Sequence, residues 1–152
     1  MVRKTPRTAQ WPQLDPTQQN DLLSDLTSTI VGALPSGWRE LAIDYRVVGR
    51  NIDPAVGLLA PDDTYQLWHP PDEAWRMIQR LRGGMYRDGE GAWFSARFII
   101  QPPARFSVQY NWHHEPTFRR YPAPEEFALE QKRFPRGDSY MPEWFRERLS
   151  GV

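Results

Sequence analysis

Residues 92–113 limit the possible folds more than any other stretch. They read A-W-F-S-A-R-F-I-I-Q, then Pro102-Pro103-Ala104, then R-F-S-V-Q-Y-N-W-H. Side chains alternate with a period of two, the repeat that points successive residues to opposite faces of a strand. In the first half Phe94, Ala96, Phe98 and Ile100 share a face, and Trp93, Ser95, Arg97 and Ile99 share the other. In the second half Phe106, Val108, Tyr110 and Trp112 face the core, while Ser107, Gln109, Asn111 and His113 face away. Three linking residues are too few for a crossover, so the two strands form an antiparallel hairpin.

The rest of the chain supplies cover for that hairpin. Asp15-Pro16-Thr17-Gln18 carries the spacing of a capping box with proline at the first helical position. Leu22, Leu23, Leu26, Ile30 and Leu34 then mark one helical face, which Pro35-Ser36-Gly37 ends. Residues 38–48 alternate as a half-buried strand, with Leu41, Ile43, Tyr45 and Val47 on one side. After the Gly49-Arg50-Asn51 turn, residues 52–60 are a weaker strand, because Pro54 lacks a donor and Gly57 a side chain. Pro61-Asp62-Asp63 is a turn, and residues 64–68 form a short strand. A second helix opens at His69-Pro70-Pro71-Asp72-Glu73, with Ala74, Trp75, Ile78 and Leu81 as its stripe and Gly83 as its stop. Short helices open at Pro124 and Pro142, each followed by an acid. The predicted fold is therefore α+β: one domain over residues 14–152, a mainly antiparallel sheet with helices packed on one face. A flexible arm over residues 1–13 precedes it, with Trp11-Pro12 as its anchor.

Composition narrows the chemistry. The 152 residues include seven Trp, seven Phe and six Tyr, ample material for a core or an interface. There is no Cys, which removes disulfides, zinc–thiolate sites and thiol nucleophiles. No apolar run reaches the roughly 20 residues of a membrane helix, and no signal peptide follows the basic start, so the expected compartment is the cytoplasm. Nineteen basic groups balance nineteen acidic ones. Residues 1–75 carry six basic and ten acidic groups, and residues 76–152 carry thirteen and nine. Patches of both signs suit a protein partner better than a polyanion.

No segment carries a catalytic signature. His113-His114-Glu115 is the single histidine cluster, but neighbours on a strand point to opposite faces and cannot easily share one metal ion. The glycines at 83–84 and 89–91 follow a helix instead of opening one, and no Gly-Lys-Ser/Thr accompanies them, so they are not a phosphate loop. Asp62-Asp63 and Asp72-Glu73 read as turn and helix-start residues. Arg119-Arg120-Tyr121 and Lys132-Arg133-Phe134-Pro135-Arg136 interleave cations with aromatics, a pattern that stacks on single-stranded nucleic acid or packs on itself. Glu115, Glu125, Glu126 and Glu130 alongside weigh against a phosphate backbone.

In its order of features the chain resembles the YezG-like antitoxin and immunity proteins of bacterial polymorphic toxin systems, relatives of the immunity factor for tuberculosis necrotizing toxin. The features are the leading helix, the strand over 38–48, the helix ending Arg80-Leu81-Arg82, the Trp93-Phe94 strand and an aromatic strand closing at Glu115-Pro116. A Phe134-Pro135-Arg136 turn and Met141-Pro142-Glu143-Trp144 follow. Pro102-Pro103-Ala104 stands where such proteins often have a glycine turn, and Asn111-Trp112-His113 where Asp and Tyr are common. The resemblance covers most of the chain after Asp15. It implies a non-enzymatic protein without cofactor or metal, a monomer that binds a cognate toxin domain one-to-one and occludes its active site. An NAD-degrading toxin is the case the named relative suggests.

Loop tips and strand ends supply the expected partner contacts: Asp62, Asp63, Trp68, His69, Tyr86, Arg87, Glu90, His113, His114, Glu115, Arg119 and Tyr121. Two other readings stand beside this one. A small enzyme would need a pocket lined by Trp, His and Asp. A general interaction or nucleic-acid-binding module would need an exposed basic and aromatic face.

Overall fold

A computed structural model describes residues 12–151. The expected arm lies outside the described residues, Trp11 included, except for Pro12 and Gln13. Those two are tied to the second helix and the residues just after it: Arg80 donates to the Pro12 carbonyl at 3.0 Å and Gln13 Nε2 to the Tyr86 carbonyl at 2.7 Å.

Helix α1, Pro16–Ala33, starts where its cap predicts. The Asp15 carboxylate accepts from the Gln18 amide at 2.8 Å, and the Gln18 side chain accepts from the Asp15 amide at 2.9 Å. Each bond satisfies an amide that the first helical turn leaves open. Leu23, Leu26 and Ile30 form its buried stripe. Strands β1, Glu40–Val48, and β2, Asn51–Leu59, then pair over their whole lengths. Pro54 does not break that ladder; it sits opposite Tyr45. The two-residue strand β3, Tyr65–Gln66, closes one edge. Helix α2, Asp72–Gly84, runs slightly past its expected stop, to a cap at Met85.

The hairpin forms as expected from β4, Ser95–Gln101, and β5, Arg105–Asn111. The complete antiparallel sheet has the order β3-β2-β1-β4-β5. Its main core takes Leu41, Ile43, Tyr45 and Val47 from β1, and Ala96, Phe98 and Ile100 from β4. The stripes of α1 and α2 cover them. The other face is polar: Asp44 and Arg97, opposite one another on β1 and β4, pair at 2.7 and 2.8 Å. Phe106, Val108, Tyr110 and Trp112 pack on the core as expected, but only partly buried, because β5 is an edge strand.

One pair departs from the predicted alternation. Trp93 lies in the main core, and Phe94 turns into a second cluster with Val48, Phe127 and Phe145. Regular pairing begins only at Ser95, and a bend at Phe94 breaks the period of two. The Phe94 backbone holds the bend, accepting from the Val47 amide at 2.9 Å and donating to the Asn111 carbonyl at 2.7 Å. The second cluster brings in α3, Pro124–Arg133, and α4, Glu143–Leu149, which follow the expected proline starts.

Candidate functional site

The hairpin's register divides the twelve expected contact residues between the two ends of the sheet. Asp62 and Asp63 lie in the turn beyond the β2 end, beside the start of β1, and Trp68 and His69 follow β3 before α2 starts. The other eight gather at the opposite end, where β5 finishes and α2 has just stopped.

At the first end the acids serve their own turn. The Asp62 carboxylate accepts from the Thr64 amide and hydroxyl at 3.1 and 2.7 Å, which holds its pKa below the usual range. Asp63 takes a positive φ of 67° and pairs with Arg39. Trp68 is half-buried against the core, and His69 is exposed.

The second end is a built rim. Its tip is the His113-His114 bend, which lies past the end of β5 and not on its outward face as the alternation suggested. Asn111 organises that bend. Its side-chain oxygen accepts from the His113 and His114 amides at 3.2 and 2.9 Å, and its Nδ2 donates to the His114 carbonyl at 2.8 Å. Trp144 of α4 adds a bond from Nε1 to the His113 carbonyl at 2.7 Å. The two imidazoles stand edge-on, 5.6 Å between centroids, both exposed. Among the described residues, no three His, Asp or Glu side chains converge as metal ligands.

Next to the tip, the Tyr121 hydroxyl donates to Glu115 at 2.6 Å, and Arg148 approaches the same carboxylate at 3.4 Å while lying over the Tyr121 ring. Partial burial raises the Tyr121 pKa, helped by the Glu115 acceptor and its charge and opposed by Arg148. On the other side, Arg87 stacks over Trp112 at 5.1 Å and meets Glu90 at 3.9 Å. Arg87, Glu90, Trp112, His113 and Tyr140 line a cleft of about 230 Å³. Arg119 caps the β2 edge: its amide reaches the Asp53 carboxylate at 2.5 Å, and its guanidinium bonds the Pro54 carbonyl. Asp53 is buried; burial pushes its pKa up, but the Arg120 and Arg119 amides and the Arg46 charge outweigh that and hold it low.

Tyr86 is a correction. It is buried, its ring 5.6 Å from Phe134 in a small cluster with Ala92, so it supports the rim from beneath and presents no ring to a partner.

Beneath the rim lies a group that residue type alone did not reveal. Arg82 donates through Nε to the Trp93 carbonyl at 2.7 Å and through Nη2 to Glu130 at 2.5 Å. Glu130, 1% exposed, also accepts from the Gly49 amide at 2.9 Å. Arg136 donates to the Ala92 and Tyr140 carbonyls at 2.7 and 2.9 Å and lies 4.3 Å from the Phe94 ring. Burial pulls the Arg136 pKa down to about 10, with Glu130 opposing and Arg82 reinforcing. The cation–aromatic run over 132–136 thus directs Phe134 and Arg136 inward. A sequence signal for this group existed. Arg82 falls four residues after Ile78, on the apolar stripe of α2, and Glu130 falls three after Phe127 on that of α3.

No protein-family model matches the chain, and no curated protein matches its sequence.

Proposed function

We propose that this chain is an immunity protein that binds a cognate toxin enzyme through the rim and blocks access to the enzyme's active site. The observation that carries the reading is the rim itself. Tyr121 and Tyr140 are 51% and 48% exposed, and Arg87, His113, His114 and Arg119 stand beside them. Tyrosine and arginine are the residue types that anchor protein interfaces. Glu115 holds Tyr121, Asp53 holds Arg119, and Asn111 and Trp144 hold the His113-His114 backbone between them, so little order has to be imposed on binding. Arg87 and Glu90 give the surface charges of both signs.

An inhibitor of this kind needs no reacting group. It needs a rigid projection that fills or covers a substrate entrance, and an NAD-degrading toxin is the class the resemblance suggests. No helix among the described residues is long and apolar enough to cross a membrane. The test is co-expression with any toxin domain found encoded beside this chain. A stable one-to-one complex and survival of toxin-expressing cells are expected. Failure of both would defeat the reading.

A further inference from the structure

A separate cleft of about 260 Å³ opens between β1, the β1–β2 turn, α2 and the end of α3. Tyr45 and Arg82, 1% and 5% exposed, form its inner surface, and Arg50 and Arg133 stand toward solvent. Val47, Ile52 and Phe134 make it apolar between those groups. None of the residues named at the rim's surface lines it.

Its polar groups are held in place before any ligand arrives. Glu126 accepts from the Arg50 amide at 2.7 Å and its Nη2 at 2.9 Å, and Glu130 holds Gly49 and Arg82. Gly49 adopts φ 60°, and a Cβ there would meet the Glu126 carbonyl at 2.5 Å, so the turn sits tight against α3.

Donors remain after these bonds. Arg82 uses Nε and Nη2, which leaves Nη1 without a hydrogen bond among the described residues. The Arg133 side chain makes no hydrogen bond there either; its charge reaches Glu126 only at longer range. Burial pushes the Tyr45 hydroxyl up to about 12, against the Arg82 charge and a bond from Gln79, so it stays protonated as a donor.

Charge sets the kind of ligand. Three guanidiniums face two carboxylates, Glu126 and Glu130. Beyond the lining, the charge of Arg136 reaches Arg82 and that of Glu125 reaches Arg50, and the two offset one another. One cation is therefore in excess, which suits a single negative charge, and a dianion would meet both glutamates. The volume lies just below the roughly 300–1,000 Å³ of drug-sized pockets, so the ligand is of single-ring size. We propose that this cleft binds a small monocarboxylate with a flat apolar body, its carboxylate between Arg133 and Arg82 and its body against Phe134.

The probe is benzoate, titrated into the ¹⁵N-labelled chain, with benzamide as its neutral isostere and phenyl phosphate as a dianion. Benzoate is expected to shift the Gly49 and Gly83 amides and the Arg133 Nε signal, benzamide to leave them in place, and phenyl phosphate to bind more weakly. Arg133→Gln should weaken benzoate roughly ten-fold, about one charge-assisted hydrogen bond, while the remaining amide spectrum keeps its pattern. Gln79→Ala is a second variant, expected to weaken benzoate without disturbing the buried ion pair. Absent or scattered shifts, equal binding of benzamide, tighter binding of phenyl phosphate, or unchanged affinity in both variants would overturn the assignment. The inference is independent of toxin binding, which the benzoate titration does not probe.

Discussion

Glu130 is the residue whose loss should damage the molecule most. Among the described residues it is the single carboxylate bonded to Arg82, and both are buried. Removing one partner of a buried pair leaves an uncompensated charge, at a cost of about 3–5 kcal/mol. Glu130→Ala is expected to lose that much in urea denaturation. Adding Arg82→Met should return part of it, because the stranded charge goes too. Asp53 makes a pH prediction. Its folded pKa is depressed, so its contribution is present above the ordinary carboxylate pKa and is lost as pH falls through the lower, folded value. Acid titration of stability should therefore show a loss below about pH 4 that is smaller in Asp53→Asn. The stripe positions of Arg82 and Glu130 were a sequence signal, but not one that paired them, since 48 residues separate the two.

Among the elements, α1 was the most legible, because a capping box and a leucine stripe are local signals that agree. Asp15→Ala should cost about 0.5–2 kcal/mol, read as a lowered thermal midpoint. The hairpin was equally legible in pairing and face, since alternation and a short link leave little choice. What alternation could not give was its end. The bend at Phe94 follows from where α3 and α4 offer a second cluster, a tertiary fact that overrides a local period. The same limit explains β2: Pro54 and Gly57 made it the weaker strand in the sequence, yet pairing with β1 along nine residues holds it in place. It also explains Tyr86, whose position after α2 suggests exposure but whose ring packs on Phe134.

At the scale of the whole molecule, the α+β class and the polar second face were readable from patterns, and the grouping of eight candidate residues at one end of the sheet was not. That grouping depends on register and on the C-terminal helices folding back to meet the hairpin tip. It turns seven of these residues into one surface, with Tyr86 buried beneath it, and separates that surface from the Asp62-Asp63 turn. The proposed inhibition of a toxin enzyme by this surface is tested by titrating a candidate toxin's activity with the wild-type chain, with a rim variant carrying Arg87→Ala, His113→Ala and Tyr121→Ala, and with His69→Ala, which lies outside the rim. Inhibition is predicted to be complete at one equivalent, to weaken about thirty-fold or more in the rim variant, and to be unchanged in His69→Ala. An uninhibited toxin, or a rim variant as potent as wild type, would contradict the claim.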